Sequence, residues 1–123
     1  MHAVHGPQVV ARPAPADELE IGGTWLASTA QRTAINTEAK YLLLSHAFET
    51  IGVWRVAICT DARNERSRTA ILRIGATFEG VLRNHRMRYN TPQPEPRDSA
   101  VYSITDGEWP AVRQLLERRL ADR

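Results

Sequence analysis

Two polar clusters hold the residues best suited to chemistry. The first reads Gln31-Arg32-Thr33-Ala34-Ile35-Asn36-Thr37. Arg32 brings a permanent charge, Thr33, Asn36 and Thr37 bring short donors, and the small Ala34 lets a ligand approach the backbone. At the start of a helix such a run presents unpaired amides and a positive dipole end, which suits a diphosphate. The second reads Thr60-Asp61-Ala62-Arg63-Asn64-Glu65-Arg66-Ser67. Asn64 can hydrogen-bond an amide-rich chain, and Ser67 follows one helical turn later. A plainer reading stands beside each: Thr33 and Asn64 are also good helix caps.

These clusters require particular elements around them. Glu20–Ala27 reads as a strand with a Gly22-Gly23 pair that marks a bulge. A helix follows from Ile35 to Ile51, its apolar face drawn from Ile35, Ala39, Leu42, Leu43, Ala47 and Ile51, with Gly52 as the stop. Val53–Thr60 is short and β-branched, as a buried strand should be. Strand, helix and strand make a right-handed βαβ unit with parallel strands, and both polar clusters fall at the carboxyl edge of its sheet, where such units bind ligands.

Beyond that unit, a helix is expected over Glu65–Ile74, a long strand over Thr77–Tyr89 and a shorter one over Ala100–Thr105. Asn90–Asp98 holds three prolines and reads as an exposed loop between them. Asp106 is placed as the cap of a last helix, Glu108–Ala121, with Pro110 in its first turn. The fold class is therefore α/β (α+β), a mixed sheet with one parallel βαβ unit. Residues 1–16 hold three prolines without periodicity and read as a flexible leader, with a single domain over 17–123.

Composition removes several functional classes. Sixteen basic residues, fifteen of them arginine, against fourteen acidic give only +2, too small an excess for a nucleic-acid footprint. No run approaches the roughly 18 apolar residues of a membrane span. Cys59 is the sole cysteine, so no internal disulfide can form, which fits a reducing cytoplasm. His2, His5, His46 and His85 lack metal-ligand spacing, so no metal is expected. The Arg83, His85, Arg86 and Arg88 series reads as a solvated strand edge.

Three blocks carry a resemblance: INTEAKYLLLSHAFETIGVWRV, TDARNERSRTAILRIGATFEGVLR and VYSITDGEWPAV. In order and spacing the chain resembles the RimJ/RimL-like branch of the GNAT N-acetyltransferase superfamily over roughly residues 18–121. The resemblance implies acetyl-CoA as co-substrate and an amine, at a protein N-terminus or on a small molecule, as acceptor. It places the pyrophosphate on Gln31, Arg32, Thr33, Ala34, Ile35, Asn36 and Thr37, departing from the family's glycines at Ala34 and Asn36. It places the pantetheine arm against Asn64, and the polarising amide near Thr24 to Leu26. Ser67 becomes the acid that protonates the departing thiolate, and no tyrosine follows at Ala70-Ile71 to replace it. Glu79 is the candidate base, a role that competes with that of an ordinary exposed edge carboxylate.

The family's longer N-terminal half, which supplies further strands and one wall of the acceptor site, is not seen before the first matched strand. That strand is accordingly expected to be a bare sheet edge, which a second copy can cover as a homodimer. A working N-acetyltransferase, an inactive relative that binds CoA or a protein partner, and an unrelated α+β binding module with a basic face all remain open.

Overall fold

The computed structural model describes residues 9–11, 18–22, 34–89 and 91–122. They form five strands, β1 (Val9–Ala11), β2 (Glu18–Gly22), β3 (Arg55–Asp61), β4 (Thr77–Arg88) and β5 (Glu95–Thr105), in the spatial order β1-β2-β3-β5-β4. Helices α1 (Ala34–Ser45), α2 (Glu65–Arg73) and α3 (Trp109–Ala121) pack on one face of this sheet. Only β2 and β3 run parallel, in register from Glu18 opposite Arg55 to Gly22 opposite Cys59. The mixed sheet and the βαβ unit are as the sequence requires.

Alternation in the strands sorts the two faces. Leu19 and Ile21, Val56 and Ile58, and Ala100, Tyr102 and Ile104 join Leu44, Ala47, Ile71, Val112 and Leu116 in one core. Each valine, leucine or isoleucine among them, fully buried, stabilises the fold by about 1.5–3 kcal/mol. Their neighbours Glu20, Cys59, Ser99 and Ser103 point to the opposite face, which no described helix covers. Gly75, between α2 and β4, sits so close to α3 that an added Cβ would lie 3.2 Å from Val112 Cγ2.

Four sequence expectations need correction. Val9–Ala11, inside the segment read as a flexible leader, form β1 and pair antiparallel with Leu19–Ile21. The outer edge of β2 is therefore covered by the chain itself, and the bare edge that motivated a strand-paired homodimer is absent from the described residues.

The first helix does not run evenly to Ile51. It changes at His46 into a π-helical turn, His46–Ile51, closed by Gly52 at φ 81°, whose amide reaches back to the Ala47 carbonyl at 2.9 Å. The buried stripe is Lys40, Leu44 and Ala47, whereas Leu42 and Ile51 are exposed. Three consecutive leucines left the periodicity undecided, and the wider turn then shifted its phase.

The proline-rich connection is also shorter than expected. β5 begins at Glu95, and Pro96 pairs with Met87. β3 joins β5 only from Ser99 onward, so Pro96 lies where β5 has a partner on one side alone. Finally, Asp106 does not cap α3 with its carboxylate. Its Oδ1 accepts the Gly107 amide at 2.9 Å, its carbonyl accepts the Trp109 amide at 3.3 Å, and Glu108 is the boundary residue.

Candidate functional site

The parallel ladder ends at the pair Gly22 and Cys59, and both helices that follow these strands begin on that side of the sheet. Helix α1 opens at Ala34, so Ala34, Ile35 and Asn36 form its first turn. Gln31, Arg32, Thr33 and Leu26, with the Thr24 to Leu26 segment, lie outside the described residues.

The turn from β3 into α2 is braced at several points. Asp61 accepts the Arg63 amide on Oδ1 and the Asn64 amide on its carbonyl, both at 2.9 Å. Arg68 donates to the Tyr102 hydroxyl at 2.8 Å and to the Ala62 carbonyl at 3.1 Å. Asn64 Oδ1 accepts the Ser67 amide at 3.0 Å, an N-cap in the ordinary sense. That bond uses only the amide oxygen, and the two N–H donors of the same side chain are not needed for it. Ser67 is fully buried at 0% exposure.

Glu79 lies elsewhere, on β4 and on the open face of the sheet. It is exposed, and it accepts from the Ser103 hydroxyl and from Arg55 Nη1, the latter at 2.6 Å. The Ser103 hydrogen bond and then Arg55 hold its carboxyl below the usual carboxylate range. A carboxylate so held takes up a proton poorly. Cys59 is also unsuited to chemistry, because burial and then the charge of Glu20 push its thiol up to about 11.

The supposed basic strand edge is largely matched by partners. Arg88 bonds Asp61 at 2.7 Å and Glu95 at 2.6 Å, Arg86 bonds Glu20, and His85 Nδ1 lies 3.0 Å from Ser99 Oγ. Burial, followed by the neighbouring Arg86, lowers the His85 pKa.

A cavity of about 80 Å³ opens between α1, α2 and α3, and the sequence reading missed it. Thr37 and Lys40 of α1, Arg66, Thr69 and Arg73 of α2, and Arg119 of α3 supply its polar lining. Lys40, the only lysine in the chain, is 4% exposed. Burial lowers its pKa to about 8, with Arg119 and Arg73 adding like-charge repulsion. The signal for this cavity was in the sequence: a charged residue, Lys40, interrupts an otherwise apolar helical stripe.

This arrangement of elements matches known proteins. The family described as Acetyltransferase (GNAT) domain matches residues 4–77, more than half of the chain. The chain belongs to the GNAT acetyltransferase domain family.

As a GNAT domain it is similar to the Bacillus subtilis protein named "Putative ribosomal N-acetyltransferase YdaF", at 36% identity over 87 residues, 71% of this chain and 45% of that one. Its structure is similar to that of a GCN5-related N-acetyltransferase from Brucella melitensis, with a TM-score of 0.76 and 33% identity, covering 93% of this chain and 50% of that one. The fold of Mycobacterium smegmatis RimJ, solved in complex with CoA-disulfide, matches with a TM-score of 0.70 at 23% identity over 89% of this chain and 50% of that one. The chain spans about half the length of these relatives. No described helix is long and apolar enough to cross a membrane.

Proposed function

We propose that this chain is the acetyl-CoA-binding part of an N-acetyltransferase acting on a primary amine. The observation that carries the reading is the convergence of the α1 and α2 starts beside the end of the one parallel strand pair among the described residues. Family membership and the CoA compound bound by RimJ support it. The residues fit the ligand: the first turn of α1 faces a diphosphate, the Asn64 amide faces the pantetheine arm, and the cavity between the helices is basic.

In the transfer, a neutral amine attacks the thioester carbonyl carbon and the carbon–sulfur bond breaks. A base removes the extra proton from the new amide nitrogen, the Ser67 hydroxyl gives its proton to the leaving thiolate, and the proton held by the base returns through solvent to Ser67. The pairing of Glu79 with Arg55 and Ser103 favours a second reading for this chain taken alone, in which it binds CoA without turnover.

Titration calorimetry with acetyl-CoA tests the shared claim, and absence of heat at millimolar ligand overturns it. Asn64→Asp isolates the pantetheine contact, because it keeps the capping oxygen and removes the donors. It should leave the melting temperature unchanged and weaken acetyl-CoA about tenfold, the effect of one lost hydrogen bond of about 1.4 kcal/mol. Thiol release with a panel of amines then separates the enzyme from the non-catalytic binder.

A further inference from the structure

We propose that Arg97 selects the acceptor by holding a carboxylate carried by the amine that is acetylated. The proposal rests on the acetyl-CoA reading for the reaction itself.

Arg97 belongs to β5, and the alternation that sends Ser99 and Ser103 to the open face of the sheet sends Arg97 there as well. Ser99 stands opposite Asp61, the last residue of β3. Arg97 is two residues further on, about 7 Å past the end of β3. It therefore lies at the end of the sheet where the parallel pair stops and where α1 and α2 begin. Those helices pack on the other face, so a cofactor held at their first turns leaves the open face to the second substrate.

The other arginines at this end have carboxylate partners. Arg86 bonds Glu20, Arg88 bonds Asp61 and Glu95, and Arg63 approaches Glu95 at 3.7 Å. Arg97 makes no ion pair or hydrogen bond among the described residues, and its Nε is buried without a partner. Asp61 attracts it, but Asp61 Oδ2 already accepts from Arg88 Nε and Nη2, and Oδ1 from the Arg63 amide. A charged donor left unbonded inside a protein is costly. The residue as a whole is only half-buried, so the rest of the guanidinium stays within reach of a ligand.

The sheet is distorted at this place. Between the pairs Leu82 with Ser99 and Arg86 with Arg97, β4 advances four residues while β5 advances two. Asn84 sits in the resulting bulge at φ 49°, its amide bonded to Asp98 Oδ1 at 2.8 Å. A regular ladder would set Asn84 opposite Arg97, whereas the bulge sets Arg86 there. Like charges directly opposite one another repel, which a bound anion relieves.

A carboxylate suits the position better than a more highly charged group. Its two oxygens match the parallel N–H pair of a guanidinium. With Glu20, Asp61 and Glu95 close by, one negative charge is tolerated more readily than two. The carboxylate can belong to a free amino acid or to an acidic side chain beside a peptide N-terminus.

Titration calorimetry on the full chain tests this, first with CoA alone and then with acceptors added to the CoA-saturated protein. The acceptors form two pairs, the peptide amide Ala-Glu against Ala-Gln, and alanine against alaninamide. Wild type should bind the acidic member of one pair at least about tenfold tighter than its neutral partner, the effect of one charged hydrogen-bonded contact. Preference within the first pair assigns a peptide N-terminus, and preference within the second a free amino acid. Arg97→Gln should bind both members equally and melt no lower than wild type, because the guanidinium bonds nothing in the fold. Arg97→Lys, which keeps the charge and loses the fork, should lose most of the preference and decides the matter if the glutamine variant does not fold. Heat from CoA with no preference for either acid, or a preference untouched by the substitutions, overturns the proposal and leaves the acetyl-CoA reading standing. No heat from CoA overturns that reading, and this proposal with it.

Discussion

The two faces of the sheet treat charge in opposite ways. On the open face cations meet carboxylates: Arg55 lies between Glu18 and Glu79, Arg86 meets Glu20, and Arg88 meets Asp61 and Glu95. On the helical face Lys40, Arg66, Arg73 and Arg119 line one cavity, to which no described carboxylate contributes. Arg97 departs from the open-face pattern, because its Nε is buried without a hydrogen bond. The contrast separates charge matched by carboxylates from like charge gathered at a cavity between helices. Paired charges should matter to stability, whereas the like charge beside the buried Lys40 should lower it.

The largest test of that contrast is Arg88→Ala. The Arg88 side chain is 11% exposed, and its loss leaves Asp61 partly buried without its main partner. We expect a clear loss of stability in urea unfolding at pH 7. Burial pushes the Asp61 carboxyl up, but the Arg63 amide and then Arg88 outweigh it and hold the pKa low. Because the folded value lies below the unfolded one, the stabilisation is present above the ordinary carboxylate range and fades as pH falls through it. The variant should therefore lose its deficit in acid. A deficit independent of pH would remove Asp61 from the explanation.

Next in size is Lys40→Met, with the opposite sign. A folded pKa of about 8 against the ordinary lysine value of 10.5 means that the unfolded chain binds more protons between those values. Stability from this group therefore rises with pH across that window. Replacing the ammonium by a side chain of similar volume should add about 1–2 kcal/mol at pH 7, and the gain should vanish by about pH 10.5. The comparison must be with the variant rather than within the wild type. Cys59, raised to about 11, contributes stability that is lost over the upper part of the same range. A destabilised Lys40→Met protein at pH 7 would show that the cavity charge is already matched.

The smallest effect is expected for Glu79→Gln. Its carboxylate and its partner Arg55 are both substantially exposed, so solvent screens the pair. Urea unfolding should agree with wild type within error. A clear loss would show that even exposed charges on this face bear structural load.

Much of this architecture was readable from residue order. The parallel unit, the second helix and the amphipathic α3 follow from β-branched runs, glycine stops and the Asn64 cap, because those signals are local. What escaped depends on distant partners. Leu42, Leu43 and Leu44 offer three equivalent faces, and only packing against α3 and the π-helical turn selects Leu44. Pro96 looked unpairable until β3 proved to stop short of it. Val9–Ala11 carry too few residues to declare a strand without Leu19–Ile21 beside them. At the site, Asn64 and Ser67 were visible as a spaced pair. Of the basic cavity only Lys40 left a local trace, since its four cations are separated by as many as 79 positions from Lys40 to Arg119.

Helix α3 carries Arg119 to that cavity at one end and Trp109 at the other. The indole there is 5% exposed, stacks on Phe48 with ring centroids 5.4 Å apart and donates to Glu49 at 2.7 Å, whereas Trp54 is 68% exposed. One of these tryptophans thus emits from a dry contact between the π-helical turn and α3 and the other from water. With Trp25 replaced by Phe, a quencher added to solution would silence Trp54 first, leaving Trp109 as an optical signal that reports whether α3 stays docked.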